Sequence, residues 1–152
     1  MILLVVTTII LLLAVILVIR DPKQVKLSEL YATSIFAICL GVIADIYLDL
    51  KLDLYGYFQK GVDWTYLPIF FIVYPATNIL FLRFFPFEKS IIKKTVYILG
   101  WSLGTLAMEQ ISLHTDLFYY NGWKWWYSAC AYPFIYSLLF LNLKFTRKLD
   151  SI

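Results

Sequence analysis

Glu109 is the residue in this sequence best placed to do chemistry, because it is a carboxyl inside an otherwise apolar run, Thr95 to Leu113. Charged groups at membrane depth are costly and normally face a bundle interior or a water-filled cavity. At 100° per residue, Ser102, Thr105, Glu109 and Ser112 share one helical stripe, which Asp116 continues. Glu109 lies five residues past the midpoint of the run near Gly104, about 7 Å toward one end at helical rise. Three roles fit such a carboxyl: proton exchange or acid–base catalysis, cation binding, and hydrogen bonding to a neighbouring helix as packing. A fourth, a carboxyl facing lipid, is the costliest.

Asp45 and Asp49 share a face with Ser34 and Gly41 on a second apolar run, and His114 follows the run that carries Glu109. Six of the ten acids (Asp45, Asp49, Asp53, Asp63, Glu109 and Asp116) fall toward the same side as this single histidine. Carboxylates with an imidazole suit a divalent cation or general acid–base work; the competing reading is solvated acids at helix ends. HExxH, EF-hand, GxSxG and CxxC patterns are all missing, so no metal or cofactor is assigned and Glu109 alone is the catalytic candidate. The binding candidates are Asp45, Asp49, Glu109, His114, Trp123 and Tyr132.

The aromatic residues supply the last two of these. Trp123 to Tyr127 holds four aromatics in five residues, more than an interfacial belt requires. Gly56, Gly61 and Gly122 would let the aromatic connections fold back as a lid or ligand platform. Tyr74, Thr77 and Asn78 face one way on a third apolar run, as do Ser128, Tyr132 and Tyr136 on a fifth, beside Pro75 and Pro133. The simpler expectation is that these groups satisfy one another across helices; the alternative is that they line a pocket. Cys39 and Cys130 read as small apolar packing residues at different depths, unsuited to a disulfide.

The elements that must position these residues follow from composition. The 152 residues are 62% hydrophobic and 15% charged, with a mean hydropathy of +0.79, which excludes both a soluble domain and a disordered chain. Five windows approach the ~20 apolar residues that cross a bilayer: about 2–19, 30–48, 64–85, 95–113 and 126–143. The first lacks the basic start and small-residue cleavage site of a signal peptide. Ten of the thirteen Lys and Arg residues fall in the first and third connections and the tail. By the positive-inside rule the amino terminus is outside and the carboxyl terminus cytoplasmic. The net charge of +3 is thus a topology signal and not a nucleic-acid footprint. The predicted fold is all-α: a single five-helix transmembrane bundle. Gly100 and Gly104, extended by Ala107, form a small-residue face roughly opposite the polar stripe. That predicts a central fourth helix, with these glycines available to a helix partner or a second copy.

The acidic end of the second run, Tyr55-Gly56-Tyr57-Phe58, the proline-broken third run, Glu109, and Tyr120-Asn121-Gly122-Trp123 leading to Trp125-Trp126-Tyr127-Ser128 carry a resemblance. In this order they resemble a family of small, uncharacterised multi-pass membrane proteins of endospore-forming bacteria. The resemblance implies a bacterial plasma membrane and no particular activity. In architecture the chain is also similar to the tryptophan-rich sensory (translocator) proteins, which share length, five aromatic-rich spans and a ligand cavity. Their Trp-Pro first-loop signature is absent here. The functional expectation is binding or sensing of a lipid, small molecule or cation in a polar cavity toward the outer face. An enzyme acting on a lipid or isoprenoid and a structural subunit of a membrane complex are the alternatives.

Overall fold

The computed structural model describes residues 2–19, 25–58 and 64–151. Five α-helices dominate them: α1 (Ile2–Ile19), α2 (Leu27–Asp45), α3 (Tyr74–Arg83), α4 (Ile91–Ser112) and α5 (Trp125–Leu149). A two-stranded antiparallel sheet pairs β1 (Tyr55–Tyr57) with β2 (Phe118–Tyr120), in register Tyr55–Tyr120, Gly56–Tyr119 and Tyr57–Phe118. The all-α expectation holds for the bulk of the chain, but this sheet is an addition to it. The aromatic stretches expected as separate connections are strands that satisfy each other's backbone.

Helix α2 starts where the Glu29 carboxylate accepts the Lys26 backbone N–H at 2.8 Å, meeting one of the orphan donors of a first turn. At its other end it widens into π-helical turns, Ile46–Lys51. A second π-helical stretch, Ile69–Val73, precedes α3. Its cause is Pro75 in the first turn of α3. Proline offers no N–H to the carbonyl four residues back and crowds it, so the ladder must widen there.

The core is built around α2, which packs on both α3 and α5, and most of the innermost buried side chains come from these three helices. Phe81, Leu82 and Leu143 are fully buried, and Phe81 packs on Tyr136 with ring centroids 4.7 Å apart. Helix α1 rests on α3 and the π-helical stretch before it, and α4 packs on α5 and β2. This corrects the expectation of a central fourth helix. Ser102 is the buried residue of α4, and a Cβ at Gly100 or Gly104 would meet nothing within 4 Å. The small residues therefore border open space, and no helix backbone approaches them. The cavity nonetheless reaches both faces of α4, since Gly100, Gly104, Thr105 and Glu109 all line it.

The end away from the sheet is closed by polar contacts. Arg147 Nε donates to the buried Glu29 at 3.0 Å, and the buried Arg83 donates through Nη1 to the Val25 carbonyl at 2.8 Å. The outer faces of the helices carry large apolar side chains, among them Leu17, Tyr31, Ile43, Ile92, Leu103 and Phe134. Cys39 and Cys130 are free and exposed on these faces, so they are not the packing residues expected. Among the described residues one helix, Leu27–Lys51, is long and apolar enough to cross a membrane; Ile2–Val18 and Ile69–Arg83 are shorter apolar helices. Helices α4 and α5 have the length but intersperse Tyr, Trp, Ser and Lys among their apolar residues, so not all five expected windows meet that criterion.

Candidate functional site

A mostly apolar cavity of about 750 Å³ lies between the helices beneath the sheet. That is within the range of about 300–1,000 Å³ usual for small-molecule sites. Its walls come from one stripe of α2 (Ala37, Gly41, Ala44, Asp45), from Tyr74 and Asn78 on α3, and from α4 and α5. Thr7 and Leu11 of α1 complete it, and because α1 does not pack on α4 the arc of helices stays open between them. From Gly100 to Glu109 the wall rises about 13 Å.

Two carboxylates mark the end of the cavity nearest the sheet, and each is held in the same manner. Tyr55 donates to Asp45 Oδ1 at 2.5 Å and Tyr74 to Oδ2 at 3.2 Å. On α4, Tyr120 donates to Glu109 Oε1 and Tyr132 to Oε2. Each carboxylate oxygen thus receives one phenol. An ionised carboxylate has about four lone-pair sites, so each unit keeps acceptor capacity.

Secondary structure explains the convergence. Alternation in β1 puts Tyr55 and Tyr57 on one face of the strand, and Tyr57 and Tyr74 exchange a hydrogen bond of 3.2 Å. The register that pairs Tyr55 with Tyr120 brings the partners of the two carboxylates together. Gly56 sits between them with the Tyr119 phenol against its backbone, where any Cβ would collide. The sheet is anchored by Leu54, whose carbonyl accepts the N–H groups of Asn121 (2.8 Å) and Trp123 (2.9 Å). Asp53 at φ 52° and Gly122 at φ 119° make the turns at its ends, and Asn121 Nδ2 donates to Asp53 Oδ2 at 2.9 Å.

Burial first, and then the charge and hydrogen bond of Asp45, hold the Tyr55 phenol well above the usual tyrosine range. The Tyr120 phenol is pushed up to about 12, by burial and then by its bond to Glu109. Both groups therefore stay protonated and donating at any physiological pH.

Of the residues picked out in the sequence, Asp45, Glu109, Trp123 and Tyr132 line the cavity. Asp49 is buried but does not line it, and His114 is exposed and also outside it. The four-residue cluster of Asp45, Asp49, Glu109 and His114 considered for a cation is therefore not assembled. Among the described residues no group of three or more His, Cys, Asp or Glu side chains could hold a metal ion. The lipid-facing alternative for Glu109 is overturned by its two tyrosine donors. The polar residues of α3 and α5 do both things that were weighed. They line the cavity and also bond to neighbours: Asn78 Nδ2 to Thr33 at 3.1 Å, Tyr136 to Thr105 at 2.5 Å, and Trp123 to Ser128 at 2.8 Å.

Tyr55 and Tyr74 as ligands of Asp45, and Tyr120 as a ligand of Glu109, were missed. The Tyr-Gly-Tyr alternation was a strand signal, but strand pairing across 65 residues leaves no local trace. No protein-family model, curated protein or solved structure matches the chain.

Proposed function

We propose that this chain is an integral membrane protein that binds an amphipathic small molecule or lipid in the cavity beneath its sheet. The observation that carries the reading is the cavity itself: a long apolar chamber with two carboxylates at one end, open between α1 and α4. A ligand with an apolar body and a hydrogen-bonding head matches that division. The exposed Leu, Ile and Phe side chains around the bundle support a lipid surround, since a monomer in water does not tolerate apolar patches of such extent. In this reading all five helices cross the bacterial plasma membrane. The basic residues Lys89, Lys93, Lys94, Lys144 and Lys148, at the end away from the sheet, face the cytoplasm, so the sheet faces outward.

Acid–base catalysis by Glu109 on a lipid or isoprenoid is the competing reading. The paired phenols favour binding, because they hold both carboxylate oxygens in place.

Gly104→Leu tests the reading directly. Gly104 lines the cavity and a Cβ there meets nothing within 4 Å, and removing a mid-helix glycine adds about 0.5–1 kcal/mol of helix stability. Native mass spectrometry of the purified protein should show bound lipid or small molecule in the parent chain and loss of it in the variant, at unchanged oligomeric state. An empty parent chain would sink the binding role. Dissociation of an oligomer by the variant would assign these glycines to a helix partner instead.

A further inference from the structure

We infer that the occupant of the cavity is a cationic amphiphile, whose ammonium or guanidinium head sits between Asp45 and Glu109. The inference rests on the binding reading above and goes on to specify the charge of the ligand. Its basis is an imbalance in the lining. Two carboxylates line the cavity, and among the described residues no Lys, Arg or His does. The hydrogen-bond donors to both are phenols, which are neutral and, for Tyr55 and Tyr120, held protonated.

Neutral donors orient a carboxylate without cancelling its charge, and two like charges around one apolar chamber are costly unless a cation or a proton joins them. The remaining acceptor sites on the four oxygens suit a head with several N–H donors. The rings of Tyr55, Phe118 and Trp123, mutually packed with Tyr55 at centroid distances of 5.4 Å from both others, border the same end and suit a quaternary ammonium equally.

An independent observation also points to a ligand. Asn78 is fully buried and lines the chamber, and its Oδ1 has no hydrogen-bond partner among the described residues. Buried amide oxygens are nearly always paired, so this one is an unmet acceptor within the chamber wall. Its position one turn along α3 from Tyr74 extends the acceptor surface away from the carboxylates. The apolar body then runs past Ala37, Gly41 and Gly104 toward the open side.

The test uses the full chain in a non-ionic detergent and three probes that share one alkyl chain: dodecyltrimethylammonium, dodecanol and dodecyl sulfate. Binding is read as the rise in unfolding temperature at fixed probe-to-detergent ratio. The ammonium probe should stabilise, the alcohol much less, and the sulfate not at all. Glu109→Gln and Asp45→Asn should each weaken the ammonium probe at least tenfold, while Asp116→Asn, the same charge change at an exposed site outside the cavity, should leave it unchanged. Stearylamine in a bilayer nanodisc and tetraphenylphosphonium in solution then separate a membrane-borne cation from a soluble one. Equal stabilisation by all three alkyl probes overturns the inference and leaves cavity binding standing. Stabilisation by none of the probes overturns both. Should Glu109→Gln fail to fold, the comparison of head groups on the unaltered chain still decides.

Discussion

Asp45 and Glu109 show how carboxyls are held at the wall of a cavity that no basic side chain lines among the described residues. Each oxygen takes one phenol, and the phenols come from other elements, so the hydrogen bonds also tie the architecture together. Removing one donor leaves a buried acceptor unmatched, at about 1–3 kcal/mol. Tyr55→Phe should cost that much in chemical unfolding, because Tyr55 and Asp45 are both buried. Tyr120→Phe should cost less, since Tyr120 is only partly buried and Glu109 keeps Tyr132. A larger loss for Tyr120→Phe would reverse the assignment of which carboxylate is the more enclosed. The elevated Tyr120 phenol makes a pH prediction too. A group that is neutral when protonated, and harder to ionise when folded, contributes stability that is complete below its ordinary value near 10. The contribution is lost as pH rises through about 12. Absorbance titration at tyrosinate wavelengths should lose a transition near pH 12 in Tyr120→Phe, and retention of every transition would count against it.

The elements carry two devices that bring Asp45 and Tyr74 together. π-helical turns flank both: Asp45 precedes the stretch Ile46–Lys51 and Tyr74 follows Ile69–Val73. Such turns recur at functional sites because they re-aim side chains within a helix. The second device is Gly41, where the Tyr74 ring occupies the space that a Cβ would need. For Gly41→Ala two effects oppose. Alanine favours the helix by about 1 kcal/mol, while overpacking against a ring held by Asp45 and Tyr57 costs about 1–3 kcal/mol. The expected outcome is net destabilisation with displacement of Tyr74, read from thermal unfolding and from weakened ligand binding. A higher unfolding temperature in Gly41→Ala would mean that Tyr74 moves freely and does not hold the carboxylate.

For the whole molecule, the consequential proposal is its orientation in the membrane. In a background lacking Cys39 and Cys130, Asn121→Cys should react with an impermeant thiol reagent added to intact cells. Ser90→Cys should react only after lysis. The reverse pattern would invert the orientation and place the sheet end in the cytoplasm. The path by which the bundle encloses its cavity was not legible in advance. The sequence expectation placed α4 at the centre because it carries a small-residue face and a polar stripe. In the structure α4 is peripheral and both features border the cavity. Helical periodicity shows which residues share a face, but small residues suit a close neighbour and an empty chamber alike.

The sequence by itself determined the helical class, the approximate extents of the helices, and Glu109 as the carboxyl set deepest in an apolar run. Those features follow from local physics: the period of a helix, the cost of a charge among apolar residues, and the backbone effect of proline. Only the tertiary structure decided that Asp45 and Glu109 face one chamber, that Asp49 and His114 stay outside it, and that tyrosines from a sheet serve both carboxylates. The pairing of Tyr55 with Tyr120 joins segments 65 residues apart. Long-range register of this kind depends on how every intervening helix packs, and no window of the chain contains it.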